Sequence, residues 1–163
     1  MAEPIGTSKR DQIALAGRGN YWQDLKVGEK FRTFRRTITE TDLINFVSIT
    51  GMLESIFIDV DHGGAISGRP VPSALTYTFI EGFILQNMIR GVGLALLSVS
   101  MEALAPVRVG DTIWAIIETS ELRPTTGGNR AVVTSDVTVF NQLNEIVLTY
   151  RVKRLLAGDP ANA

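Results

Sequence analysis

The chain contains no cysteine. This absence excludes disulfide bonds, thiolate nucleophiles, cysteine-ligated zinc sites and iron–sulfur clusters. Charge of one sign is not in excess either, because 16 lysine and arginine residues stand against 17 aspartate and glutamate residues without a long run of either sign. A balance of this kind offers no electrostatic basis for binding nucleic acid or an anionic membrane. We therefore expect neither nucleic acid nor a membrane among its partners.

Long hydrophobic runs are missing as well. The longest apolar stretch, residues 75–89, is interrupted by threonine, glutamate, glutamine and asparagine, whereas a membrane-spanning helix needs about 20 predominantly apolar residues. Near the start, residues 13–16 form an apolar run that is too short for the core of a signal peptide. We therefore expect a cytoplasmic protein.

The length and the hydrophobic content of the chain predict one folded domain. A chain of 163 residues with 45% hydrophobic residues is long and apolar enough to bury a core. Residues 1–19 and 158–163 show neither helical nor strand periodicity. We therefore expect flexible tails at these two ends and a single domain over residues 20–157.

The first half of this domain carries signals for one strand and two helices. Residues 31–38 suit a strand, and the following Thr39-Glu40-Thr41-Asp42 resembles a capping box, which predicts a short helix ending at Gly51. Residues 52–72 predict a long irregular segment. Ser73 is then expected to cap a helix that runs to about Arg90. Because that helix is apolar on most of its circumference, it must be enclosed by other elements.

The second half predicts four strands, at residues 94–104, 112–122, 130–141 and 145–155. Turn residues separate them, so we expect neighbouring strands to pair as antiparallel hairpins. A strand, an apolar helix and four further strands together predict an α+β fold in which a five-stranded antiparallel sheet wraps around a long central helix. This arrangement is the hot-dog fold.

Four segments resemble those of the MaoC-like hydratase/dehydratase family: YWQDLKVGEKF (21–31), RTITETDLINFVSITG (36–51), GRPVPSAL (68–75) and ALAPVRVGDTI (103–113). The resemblance spans roughly residues 20 to 155 and implies the same hot-dog fold. It also implies a homodimer or higher oligomer. The implied substrate is an enoyl thioester, usually of coenzyme A, to which water is added or from which it is removed without a metal or redox cofactor.

The same resemblance implies that the usual catalytic pair is missing. The family pattern runs Thr-Gly-Asp-x-Asn-Pro-x-His-x-Asp, in which the first Asp and the His act as general acid and base. Here Thr50, Gly51 and Asp59 match, but Met52 stands at the aspartate position and Phe57 at the histidine position. Neither side chain exchanges a proton near neutral pH, and positioned acid/base groups typically contribute about 10²–10⁴-fold in rate.

Four residues are candidates to replace that pair: Glu54, Asp59, His62 and Glu81. Glu54 lies between the two vacated positions, and His62 is the only histidine of the chain. The alternative is that both are solvent-exposed loop residues and that Asp59 supports the loop through backbone hydrogen bonds. Glu81 lies on an apolar helix face, as a catalytic acid does in some hot-dog thioesterases; the alternative is an ion pair with an arginine or a place at a subunit contact. One histidine with two aspartates does not predict a metal site.

Three functions therefore stay open. The first is a lyase that hydrates or dehydrates an acyl thioester, with an enoyl-CoA as substrate and non-standard acid/base residues. The second is a catalytically inactive hot-dog subunit that binds an acyl ligand or completes the site of a second MaoC-like subunit. The third is an acyl-CoA thioesterase that uses Glu81. None of them requires a cofactor beyond the coenzyme A of the substrate itself.

Overall fold

The computed structural model describes residues 17–62, 66 and 68–162. Along the chain the elements are β1 (Lys30–Arg32), β2 (Arg36–Thr37), α1 (Glu40–Thr50), α2 (Ser55–Ile58), α3 (Ser73–Phe83), β3 (Gly93–Ala103), β4 (Thr112–Pro124), β5 (Arg130–Phe140) and β6 (Ile146–Ala157), with short 3₁₀ turns at Trp22–Asp24 and Pro160–Asn162. Most of these elements agree with those that the sequence predicts, but the short helix α2 lies within residues 52–72, where an irregular segment is expected. The fold is α+β.

In the described part of the chain, six antiparallel strands form one sheet with the order β1-β4-β5-β6-β3, and β2 pairs with the same strand as β1. Because β1 and β2 lie end to end along β4, the six strands fill the five positions expected of the sheet. The predicted strand at 31–38 is divided between them at Thr33. There the Thr33 hydroxyl, instead of a backbone carbonyl, accepts the Ala115 N–H bond at 2.8 Å.

The position of β3 corrects one expectation. Strands β4, β5 and β6 pair as consecutive hairpins, but β3 pairs with β6 at the far edge of the sheet and not with β4. The segment after β3 cannot close a tight hairpin, because its backbone groups bond elsewhere. The Val71 N–H donates to Val107 O at 2.8 Å, and the Gly110 N–H donates to Ile38 O at 2.8 Å. The chain therefore crosses from the β3 edge of the sheet to the position of β4, three strands away, before β4 begins.

Helix α1 forms as its local sequence predicts. The Thr39 side chain accepts the Asp42 N–H bond, and the Asp42 carboxylate in return accepts the Thr39 N–H bond at 2.9 Å. At the other end Gly51 adopts the left-handed conformation, with φ of 73°, and its N–H donates to Val47 O at 2.9 Å. The buried side of the helix carries Leu43 and Val47.

Helix α3 lies on the inner face of the sheet and forms much of the core. Its N-cap is Pro72, which makes no side-chain capping bond, so the expectation that Ser73 caps this helix is wrong: Ser73 is the first helical residue. The helix continues as a π-helical turn over Ile84–Met88, which brings its end close to the predicted position. Leu85 remains 53% exposed. One side of the helix is therefore not enclosed by the described residues.

Both ends of the predicted domain make contacts. Residues 1–16 of the predicted N-terminal tail lie outside the described residues, whereas the Gly19 N–H donates to Arg90 O at 2.8 Å. After β6, the Gly158 N–H donates to Asn129 O at 2.7 Å, so the region predicted as a C-terminal tail starts with bonded residues. Within the described ranges, none of the helices combines the length and the apolar character needed to cross a membrane.

Candidate functional site

A cavity of about 340 Å³ lies at the start of α3. Its walls come from α2, from the first turn of α3, from the segment after β3 and from the beginning of β6. Apolar side chains dominate these walls, among them Phe57, Leu104, Val107 and Leu148. A largely apolar cavity of this size is suited to a small acyl group.

The polar groups of the cavity gather at the first turn of α3. Thr76 lines the cavity and is 1% exposed, and its hydroxyl has no hydrogen-bond partner among the described residues. Pro72 has no N–H, and no side chain caps the helix here. The first N–H groups of a helix lack intrahelical acceptors and carry the positive end of its dipole. The cavity therefore has an apolar body and one end that offers hydrogen-bond donors.

Phe57 contributes part of the wall rather than a proton-transfer group. It lies on α2, and its carbonyl accepts a bond from Arg69 Nη2 at 3.3 Å. Arg69 also forms an ion pair with Glu40 at the start of α1, so one arginine ties α1 to α2. Met52, at the other position where the resemblance expects a catalytic residue, is 39% exposed and does not line the cavity.

Glu54, Asp59 and His62 are all exposed, and none of them lines the cavity. The Asp59 carboxylate accepts the Asp61 N–H bond at 3.0 Å, and the His62 N–H donates to the Asp59 carbonyl at 3.3 Å. These bonds are the loop-supporting role that is the alternative for Asp59. Acid/base roles for the three residues stay a prediction.

Glu81 belongs to a different, buried cluster. Its Oε1 atom accepts one bond from Arg154 Nη2 at 2.5 Å and another from the Tyr150 hydroxyl at 2.7 Å. The ring of Tyr77 lies edge-on to that of Tyr150, with 5.1 Å between the ring centroids. The ion pair with an arginine, which is the alternative to a catalytic role for Glu81, is thus the arrangement that the structure shows.

The phenols of this cluster are held protonated. Burial raises the pKa of Tyr150, and the Glu81 carboxylate raises it further through its charge and through the hydrogen bond that it accepts. Burial and the same carboxylate also raise the pKa of Tyr77. Both side chains are therefore neutral near physiological pH, which favours a structural role for them as hydrogen-bond donors and packing groups.

Thr76, Tyr150 and Arg154 are not among the site residues that the sequence predicts. A signal exists for Arg154, because it follows Tyr150 and Val152 at strand spacing and so places a charge on the apolar face of β6. A charge at such a position predicts a buried partner. No comparable signal marks Thr76, because a threonine in a helix is common. Its hydroxyl becomes a candidate ligand contact only because it lines the cavity.

Comparison with known proteins gives no matching family model. A curated 3-hydroxybutyryl-CoA dehydratase from Methylorubrum extorquens is 28% identical over 106 residues, which cover 64% of this chain and 66% of that protein, slightly under two thirds of its length. A monoamine oxidase regulatory protein from Archaeoglobus matches with a TM-score of 0.79 and 28% identity over 90% of this chain and 100% of that one.

Two further solved structures share the fold. A MaoC-like dehydratase from Rhodospirillum rubrum matches with a TM-score of 0.77 and 18% identity, over 87% of this chain and 99% of that one. A Mycobacterium tuberculosis protein with a double hot-dog fold matches with a TM-score of 0.78 and 21% identity, over 87% of this chain and 45% of that one.

The sheet wrapped around α3, with a ligand-sized cavity at the start of that helix, defines the chain as a hot-dog protein. Its relatives of this fold include MaoC-like dehydratases and hydratases. Within the hot-dog class the chain is similar to MaoC-like dehydratases and hydratases, the proteins that the four sequence segments resemble.

Proposed function

We propose that the chain binds the acyl part of an enoyl thioester, with coenzyme A as the carrier, and takes part in its hydration or dehydration. The observation that carries this proposal is the Thr76 hydroxyl, which has no partner among the described residues and lies at the start of α3 in a mainly apolar cavity. The similarity to a 3-hydroxybutyryl-CoA dehydratase supports the same substrate class. That relative makes a four-carbon acyl thioester the first compound to test.

The reaction itself explains why donors at this position are useful. When water adds to the β-carbon of an enoyl thioester, negative charge moves to the carbonyl oxygen until a proton reaches the α-carbon. A hydroxyl and helix N–H groups directed at that oxygen stabilise this charge, and removal of one such donor costs about 10²–10³-fold in rate in well-studied enzymes. The apolar walls hold the acyl chain and exclude water from its far end.

Thr76 gives a direct test of the binding site. In Thr76→Val the hydroxyl is replaced by a methyl group, and we expect the affinity for a four-carbon enoyl-CoA to fall by about 3–10-fold, since a neutral hydrogen bond contributes about 0.5–1.5 kcal/mol. Isothermal titration calorimetry measures this change. Thr119→Val is the matched control, because Thr119 is equally buried and its hydroxyl is also unpartnered among the described residues, but it does not line the cavity. Equal affinity losses in both variants would contradict the assignment.

The proton-transfer groups distinguish two versions of this function. In the first version Glu54, Asp59 or His62 supplies them and the chain alone turns over enoyl-CoA. Alanine at all three positions then lowers turnover by about 10²-fold or more. Unchanged turnover in the triple variant would remove these residues from the mechanism.

A second version, in which the chain is a non-catalytic subunit, is favoured by the cavity walls. Among the described residues that line the cavity, none is an aspartate, glutamate or histidine. In this version the chain binds the thioester but turns it over only with a second MaoC-like subunit that bears the Asp/His pair. The double hot-dog fold of the Mycobacterium tuberculosis protein offers a precedent for the pairing of two hot-dog units. Assays of the chain alone and mixed with such a subunit separate the two versions.

Thioester hydrolysis through Glu81 has less support, because Glu81 does not line this cavity and its Oε1 atom is already bonded to Arg154 and Tyr150. Release of free thiol from an acyl-CoA measures this activity directly. Thiol release that disappears in Glu81→Gln would restore the thioesterase hypothesis.

A further inference from the structure

Helix α2 is a wall of the cavity that has no buried residue. It contributes Ile56 and Phe57 to the lining, but it is only four residues long and all of them are at least partly exposed. In contrast, the first turn of α3, the segment after β3 and the start of β6 each contribute buried side chains, namely Thr76, Val107 and Leu148. Helix α2 therefore depends more than these segments on its polar contacts.

The ends of α2 are not satisfied by their own sequence. Glu54 occupies the N-cap position but makes no side-chain capping bond. The last four carbonyl groups of a helix have no intrahelical donor, and in a helix of four residues the carbonyl of Phe57 is one of them. A side chain from elsewhere in the chain must therefore donate to this end of α2.

Arg69 supplies that donor. Its Nη2 atom donates to the Phe57 carbonyl at 3.3 Å, and among the described residues this is the only hydrogen bond between α2 and a residue distant in sequence. The Nη1 atom of the same guanidinium pairs with the Glu40 carboxylate at the start of α1. Because a guanidinium is planar and holds its donors in a fixed fork, one side chain relates the position of α2 to that of α1.

Arg69 is itself firmly attached. Its side chain is 24% exposed. Its carbonyl accepts the Val109 N–H bond at 3.3 Å, and the next residue, Pro70, forms an antiparallel bridge with Arg108. Helix α1, to which its guanidinium is paired, has a capping box at its start and a buried side. Arg69 thus joins α2 to parts of the chain that are fixed independently of it.

The Nε atom of Arg69 indicates why an arginine stands here. It is buried and has no hydrogen-bond partner among the described residues. A buried donor without an acceptor is unfavourable, and a lysine could pair with Glu40 without burying one. The fork of an arginine, which reaches both the Glu40 carboxylate and the Phe57 carbonyl, offsets this cost.

We infer that Arg69 is a positioning residue for the cavity: its bond to Phe57 holds α2 against the acyl site, and α2 moves away from that site when the bond is lost. The inference rests on the proposed function, because the ligand that this wall retains is the acyl group of the thioester. Arg69 does not line the cavity, so it acts on the ligand only through α2. A displaced wall makes fewer contacts with bound ligand, which mainly speeds dissociation.

Hydrogen exchange of the protein without ligand, measured by NMR, tests the position of α2 directly. The Phe57 and Asp59 amides donate to carbonyls within the helix segment, at 2.9 Å each. In Arg69→Lys we expect them to exchange about 10-fold faster, the lower end of the contribution of a hydrogen bond to a charged group. Arg69→Met, which removes both bonds, should show at least the same change. The Gly51 amide at the end of α1 should exchange as before.

Arg36→Lys is the matched control. Arg36 pairs with Asp42 on the same helix α1 at 2.6 Å but makes no hydrogen bond to α2, so exchange of the α2 amides should not change. Because Arg69→Lys keeps a cation beside Glu40, its urea denaturation midpoint should stay close to that of the unaltered protein. Faster exchange confined to α2 then reports local release and not unfolding of the domain.

Binding of a four-carbon enoyl-CoA tests the link between α2 and the acyl site. Surface plasmon resonance measures the association and dissociation rate constants separately. In both Arg69 variants we expect the dissociation rate constant to rise about 10-fold, with little change in the association rate constant. A role of Arg69 in stability alone would shift the denaturation midpoint without this selective change, and Arg36→Lys should change neither rate constant.

The two measurements can fail separately. Unchanged exchange of the α2 amides in both Arg69 variants would overturn the inference whether or not the compound binds. Faster exchange with an unchanged dissociation rate constant would also overturn it, because α2 would then not retain the ligand. If the unaltered protein does not bind the compound at all, the proposed function fails, and the exchange experiment alone decides whether Arg69 positions α2.

Discussion

Helix α3 carries buried polar side chains at two places, and the two differ in whether their hydrogen bonds are satisfied. In its first turn the Thr76 hydroxyl has no partner among the described residues, although the side chain is 1% exposed. Less than two turns later the Glu81 carboxylate accepts bonds from both Arg154 and Tyr150. A buried polar group without a partner costs about 1–3 kcal/mol, so an uncompensated one requires an explanation.

The difference separates a candidate binding site from a structural cluster. Thr76 lies in a cavity large enough for an acyl group, and a ligand oxygen there would satisfy its hydroxyl. The Glu81 carboxylate already accepts hydrogen bonds from side chains of β6, and it attaches the C-terminal part of α3 to the sheet. Glu81, although it is the ionisable residue of the two, is therefore less suited than Thr76 to contact a ligand.

The largest effect on stability is expected from disrupting the cluster of Glu81, Tyr150 and Arg154. Arg154→Met leaves the Glu81 carboxylate buried without its cation, and we expect the free energy of unfolding to fall by about 3–5 kcal/mol. Urea denaturation followed by circular dichroism measures this loss. Arg151→Met is the matched control, because Arg151 lies on the same strand but pairs with Asp136 on the exposed face, where ion pairs contribute little. A comparable loss in both variants would show that the cluster has no special structural role.

An intermediate effect is expected from Tyr150→Phe, which removes one of the two bonds to Glu81. Hydrogen bonds to charged groups contribute about 1.5–3 kcal/mol, so stability near neutral pH should fall by roughly that amount. The raised pKa of Tyr150 also predicts how the stability of the protein changes at alkaline pH. Its stabilisation is fully present below the pKa of an unfolded tyrosine, about 10, and decreases as the pH rises above that value.

Denaturation curves between about pH 8 and 11 test this second part. The unaltered protein should lose stability as the pH rises above about 10, and Tyr150→Phe should lose less over the same interval. Identical slopes in the two proteins would show that Tyr150 is not the group responsible. Tyr77→Phe is the informative comparison, because the pKa of Tyr77 is raised by the same carboxylate but its hydroxyl does not donate to it.

The smallest effect is expected at the binding site itself. Without ligand, Thr76→Val should stabilise the protein by about 0.5–1 kcal/mol, because an unpartnered hydroxyl gives way to an apolar group of the same shape. Thermal unfolding with and without a four-carbon enoyl-CoA measures the balance. The variant should unfold at a higher temperature alone but gain less from ligand than the unaltered protein. A loss of stability in the absence of ligand would mean that Thr76 has a partner within the protein.

Much of the fold is predictable because its signals are local. The helix from Glu40 to Thr50 follows from Thr39, Asp42 and Gly51, which satisfy its ends within a few residues. The bounds of β4, β5 and β6 follow from alternation and from the turns between them. The capping of α3 is an exception, since Pro72 and not Ser73 holds the N-cap position.

The candidate site is less predictable because its properties depend on distant contacts. Glu81 is separated by 69 and 73 residues from its two hydrogen-bond partners, and only the packing of α3 on β6 shows which of its possible roles applies. The candidates of the irregular segment, Glu54, Asp59 and His62, lie close in sequence to the positions where the resemblance expects the catalytic pair, but none of them lines the cavity.

The sequence by itself determined the hot-dog architecture and the MaoC-like resemblance, which predicts that Met52 and Phe57 stand where that family has its acid/base pair, because these rest on residue identity and local spacing. The tertiary structure alone decided that β3 lies at the far edge of the sheet, that its residues are exposed in the described part of the chain, and that the buried Thr76 hydroxyl has no partner among the described residues. Those features depend on which elements pack together, and burial and hydrogen bonding are defined only once the whole chain has folded.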